Sequence, residues 1–92
     1  MPRILVVDDE PSVLNVLSSM LRKEDFEVVP CGNGEEALEE LRKQEFDLIL
    51  TDIHMAPVDG IELLHRAREL CPTTPVVLLT GYGSVKTAVE AM

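Results

Sequence analysis

The chain has 92 residues, 46% of them apolar, with no Trp, one Tyr and two Phe, so Leu, Val and Ile must fill any core it forms. That length suits one small domain, and no apolar run approaches the ~18 residues of a membrane span. A net charge of −9 argues against direct nucleic-acid binding by this segment, because phosphate contacts need clustered Lys and Arg; it reads as a solvated acidic surface.

No basic, apolar leader precedes Ile4, from which a cytoplasmic location is expected. Ile4-Leu5-Val6-Val7 is short, rich in β-branched residues and unbroken by polar ones, the pattern of a strand buried on both faces of a parallel sheet. It runs directly into Asp8-Asp9. Pro11 is pre-set for the first turn of a helix, whose inward face is expected to hold Val13, Leu14, Leu17 and Leu21. Residues 26–31 read as a second strand. Asn33-Gly34 then opens a helix whose acidic first turn, Glu35-Glu36, suits the positive end of the helix dipole. Ala37, Leu38 and Leu41 give that helix its inward face.

Residues 47–51 read as a third strand, in which Leu48-Ile49-Leu50-Thr51 runs into Asp52. A loop over 52–59 leads to Gly60 and a helix carrying Ile61, Leu64 and Ala67, which must stop before Pro72. Pro75 fixes the start of a fourth strand over 76–79. Ser84 can cap a last helix in which Val85, Ala88, Val89 and Met92 recur at helical spacing. Cys31 and Cys71 have neither metal nor redox spacing and read as ordinary buried or half-buried thiols. His65 reads as a helix-surface residue.

Strand and helix alternate four times, which implies right-handed crossovers onto a parallel sheet. If the first and third strands are neighbours, Asp8, Asp9 and Asp52 meet at its carboxyl edge, where open α/β sheets bind ligands. Three carboxylates crowded there repel one another unless a cation lies between them. Oxygen-only ligation suits a hard ion such as Mg²⁺, which takes one or two carboxylates and fills its shell with water or phosphate. The plainer alternative is that Asp8 and Asp9 merely cap the first helix.

The stretches Ile4-Leu5-Val6-Val7-Asp8-Asp9-Glu10, Leu48-Ile49-Leu50-Thr51-Asp52-Ile53-His54-Met55, Asp59-Gly60 and Leu78-Leu79-Thr80-Gly81 resemble the receiver domain of two-component response regulators, in order and in spacing. The final residues, from Thr80-Gly81-Tyr82-Gly83 to Met92, are most similar to receivers of NtrC-type enhancer-binding activators. The resemblance implies a flavodoxin-like (CheY-like), doubly wound parallel α/β sheet of strand order 2-1-3-4. On this reading residues 1–92 are one receiver domain, C-terminally truncated before the family's fifth strand and helix.

Carried over by motif, Asp52 is the expected phosphoacceptor and Thr80 the switch hydroxyl. Asp9 is expected to bind Mg²⁺ directly, Asp8 through water or an alternative contact, and His54 through its backbone carbonyl. Tyr82 is either a partner-facing residue or a simple loop aromatic. The sequence departs from the family in two places. Ala56 stands where Pro usually follows the loop Met, with Pro57 after it, and the family's Lys is absent, Lys86 not matching its position. The implied function is transfer of a phosphoryl group from a histidine kinase to Asp52, switching a downstream transcriptional output. An enzyme in its own right is not expected, since no separate general acid–base stands beside Asp52. The alternative is a self-associating interaction module with weak or no switching, held through the exposed last strand and helix.

Overall fold

A computed structural model of the chain describes residues 1–52 and 60–79; residues 53–59 and 80–92 lie outside the described residues, and the expected last helix with them. In chain order the elements are β1 (Arg3–Val7), α1 (Pro11–Lys23), β2 (Glu27–Cys31), α2 (Gly34–Lys43), β3 (Leu48–Asp52), α3 (Gly60–Leu70) and β4 (Val76–Leu79). The sheet runs β2-β1-β3-β4 with every neighbouring pair parallel. This is the expected 2-1-3-4 order. The second strand starts one residue later than the sequence suggests, and the third takes in Asp52 itself.

The pleat sorts alternate residues to opposite faces. Leu5, Val7, Cys31 and Ile49 pack with Ala37 and Leu38 of α2, Leu63 and Ala67 of α3, and Phe46. Ile4, Val6 and Val28 form a second cluster under Leu14, Leu17 and Leu21 of α1, joined by Phe26, Leu48 and Leu50. Central β1 is buried on both faces, as its composition suggests. β3 differs. Ile49 and Thr51 are fully buried toward α2 and α3, whereas Leu48 and Leu50, on the α1 side, are only half-buried. Among the described residues α1 is the one helix packed on that face, and it lies over β1 and β2.

Two helical faces are rotated from the expectation. Val13 is 40% exposed, and the buried side of α1 reaches Ser18 instead. In α3, Ile61 is 43% exposed while Leu63 is fully buried with Ala67, four residues on. Both shifts have one cause: an i, i+3, i+4 pattern marks an apolar stripe, but docking on the sheet decides which edge of the stripe is covered. α2 begins with a reciprocal cap, in which Asn33 Oδ1 accepts the Glu36 N–H at 2.8 Å and Glu36 Oε2 accepts the Gly32 N–H at 2.9 Å.

Candidate functional site

The site follows from register. Ile4 to Val7 pair one for one with Leu48 to Thr51, so the next residues of β1 and β3 are Asp8 and Asp52. By alternation both side chains leave the sheet on the face of Val6 and Leu50. The Asp8 N–H donates to the Cys31 carbonyl at 3.1 Å, which ties this end of β1 to β2. Asp9 follows in the short link to α1. As a result Asp8, Asp9 and Asp52 each offer a carboxylate oxygen, and these oxygens all lie within 4.8 Å of one another. Oxygens on opposite sides of an ion with ~2.1 Å bonds stand roughly 4 Å apart, so the cluster has the dimensions of a small-cation site.

The three acids are not equivalent. Asp8 is only 5% exposed, Asp52 is half-buried and Asp9 faces solvent. Burial pushes the Asp8 carboxyl above the ordinary aspartate value. The Glu10 N–H, donated to Asp8 Oδ1 at 2.9 Å, pulls it back, while the negative charges of Asp52, Asp9 and Glu10 push it further up. The helix-cap alternative is answered by the same contact. The N-cap position of α1 is Glu10, whose side chain makes no capping bond, with Pro11 at the first helical position. Asp8 therefore holds the approach to the helix while its carboxylate remains part of the cluster.

Asp8, Asp9 and Asp52 are thus brought together as the sequence suggests. His54, Thr80 and Tyr82 lie outside the described residues, as do Ala56, Pro57 and Lys86. Sequence reasoning overlooked Thr51, fully buried directly before Asp52, whose Oγ1 donates to the Asp52 carbonyl at 3.1 Å. The signal available was a hydroxyl at the end of an otherwise aliphatic strand. Cys31 is buried, and burial together with Glu36 and Glu40 pushes its thiol up to about 12, so it remains an inert thiol; Cys71 is half-buried.

A parallel sheet in this order, with three acids converging at the ends of its first and third strands, defines a receiver. The chain belongs to the response regulator receiver domain family, which matches residues 4–92. It is 46% identical over 89 residues to the transcriptional regulatory protein ZraR of Escherichia coli K12, covering 97% of this chain and 20% of that protein. The regulatory protein AtoC of the same organism is 42% identical over 90 residues, with coverage of 98% and 20%. The chain thus spans about a fifth of the length of these curated relatives, and the similarity to ZraR carries the expected kinship with NtrC-type regulators.

Among solved structures, a response regulator receiver domain protein of Clostridium thermocellum superimposes with a TM-score of 0.86 at 29% identity, covering all of this chain and 75% of that one. The response regulator protein TrrA of Thermotoga maritima, solved in complex with Mg²⁺-BeF, superimposes with a TM-score of 0.85 at 35% identity, covering 99% of this chain and 79% of that one. Among the described residues no helix is long and apolar enough to cross a membrane.

Proposed function

We propose that residues 1–92 act as one receiver domain that accepts a phosphoryl group from a histidine kinase on Asp52, with Mg²⁺, and switches a transcriptional output in the cytoplasm. The observation that carries this reading is the convergence of Asp8, Asp9 and Asp52. The donor set is all carboxylate, which fits a hard divalent ion. Burial raises Asp8 most, and the negative charges of Asp52, Asp9 and Glu10 that add to the shift are those a bound cation would offset.

Asp9 and Asp52 would hold the ion directly, with Asp8 behind them and the His54 carbonyl as a further oxygen. Bound there, Mg²⁺ supplies positive charge against the phosphoryl oxygens. An Asp52 carboxylate oxygen attacks phosphorus in line with the leaving group. The new O–P bond forms as the P–N bond of the donor phosphohistidine breaks, and the bonding pair leaves on the imidazole nitrogen. Asp8, buried and held by the Glu10 N–H, would add its negative charge to the set that holds the ion. On this reading Thr80 would supply the hydroxyl that responds to the new phosphoryl group, and Tyr82 would be a residue that a partner meets. Such a switch works only through contacts that differ between its two states.

A second reading concerns assembly. Among the described residues β4 pairs with β3 on one side and ends the sheet on the other. A strand edge with apolar residues favours pairing, so we propose that copies associate through β4 and the segment after it.

The phosphoacceptor reading is tested by intact-mass spectrometry after incubation with acetyl phosphate, with and without Mg²⁺, beside Asp52→Asn. One phosphoryl mass is expected on the parent with Mg²⁺ and none on the variant. An equal adduct on Asp52→Asn, or no adduct on folded parent, contradicts it.

A further inference from the structure

Thr51 is 0% exposed, and it is the last β3 residue paired with β1. Its register neighbours are Val7 and Leu78, and it shares the pleat face of Ile49, which is packed against α2 and α3. A hydroxyl in such surroundings is costly unless bonded, and valine has nearly the same shape without that cost. Among the described residues, the Thr51 hydroxyl donates to the carbonyl oxygen of Asp52 at 3.1 Å. That carbonyl belongs to the peptide joining Asp52 to the next residue, at the end of β3. From this peptide and the Asp52 N–H hangs the Cα that carries the reacting carboxylate. Displacement by in-line attack is sensitive to errors of about 1 Å in the nucleophile's position. A buried anchor on that peptide is where such an error is suppressed.

We infer that Thr51 is a positioning residue for phosphoryl transfer, its buried hydroxyl fixing the backbone from which the Asp52 carboxylate attacks. The inference rests on Asp52 being the phosphoacceptor. Thr51 touches neither phosphorus nor metal in this scheme. It acts through the Asp52 peptide, so its effect falls on the placement of the carboxylate, and is read as the rate of attack once the cation site is saturated.

The test measures single-turnover labelling of the 92-residue chain by acetyl phosphate across a range of Mg²⁺ concentrations. In that step the Asp52 oxygen forms the O–P bond, the P–O bond to the acetyl group breaks, and the electron pair leaves on acetate. Thr51→Val keeps the shape and removes the hydroxyl; Thr51→Ser keeps the hydroxyl and removes a methyl. Thr51→Val is expected to slow maximal labelling at saturating Mg²⁺ about tenfold, with a thermal midpoint no lower than the parent's. Thr51→Ser is expected to label within about twofold of the parent although it melts earlier, having lost buried apolar volume. A purely structural threonine would give the reverse ranking, with rate following stability. Labelling of Thr51→Val at the parent rate, or of Thr51→Ser as slowly as Thr51→Val, overturns the inference while the parent's labelling still upholds Asp52. An unlabelled parent overturns both.

Discussion

Asp8 shows how this site is stabilised and destabilised by the same arrangement. Its carboxyl is raised above the ordinary value of 3.8, first by burial, with the charges of Asp52, Asp9 and Glu10 adding to the shift and the Glu10 N–H opposing it. A carboxyl raised on folding binds its proton more tightly in the native state. The stability this confers is complete below the ordinary value and is lost as pH rises through the raised one. At neutral pH the ionised group is then a native-state burden. Asp8→Asn removes the charge and keeps an oxygen to accept the Glu10 N–H. In metal-free buffer at pH 7 the variant is expected to melt roughly 4 °C above the parent, with the gap closing as pH falls toward 4. Added Mg²⁺ should stabilise the parent more than the variant. Thermal melts across that range check this, and a variant that melts lower at pH 7 contradicts it. The sequence made Asp8, Asp9 and Asp52 legible because two unbroken apolar runs end in acids. Thr51 was not legible, because a threonine in a strand reads like any β-branched residue until its hydroxyl is seen to bond.

At the scale of elements, the strands and the first three helices were readable from period and punctuation, with Pro11, Asn33, Pro72 and Pro75 marking ends close to where they fall. What period does not encode is how each helix rolls onto the sheet. Leu63 and Ala67 face the core together, and Ile61, on the same apolar stripe, is left at its rim. Leu63→Ala is therefore expected to cost about 3 kcal/mol and Ile61→Ala less than about 1 kcal/mol, read from urea unfolding midpoints at constant slope. Equal costs, or the opposite order, would place the sheet-facing side of α3 elsewhere. The unequal burial of β3 has a similar origin. Its composition is that of a two-sided strand, but α1 lies over β1 and β2 and leaves Leu48 and Leu50 half-covered.

On the scale of the whole molecule, alternation alone predicted a parallel sheet. The order β2-β1-β3-β4 came from the resemblance, because hydropathy does not say which strands are neighbours. That order creates the site. With β1 and β3 adjacent, Asp8 and Asp52 are one strand spacing apart, and with another strand between them the separation would be roughly 10 Å, too wide for one small ion. The order also leaves β4 at the end of the described sheet. If copies associate there, sedimentation should show a reversible dimer whose population rises with concentration, and Val76→Lys, at a half-buried position in register with Ile49, should shift it toward monomer in a chain that still melts cooperatively. A monomer at every concentration, or a dimer indifferent to that change, contradicts the assembly reading and leaves the site untouched.

The central claim is that three converging acids make Asp52 a nucleophile toward phosphorus. The most direct measurement labels the chain with acetyl phosphate and Mg²⁺, traps the acyl phosphate with borohydride, and locates the reduced residue by peptide sequencing in a mass spectrometer. The account predicts homoserine at position 52, dependent on Mg²⁺, with Asp8 and Asp9 unmodified. Reduction at position 8 or 9, or Mg²⁺-independent modification scattered over the acidic surface, would contradict it.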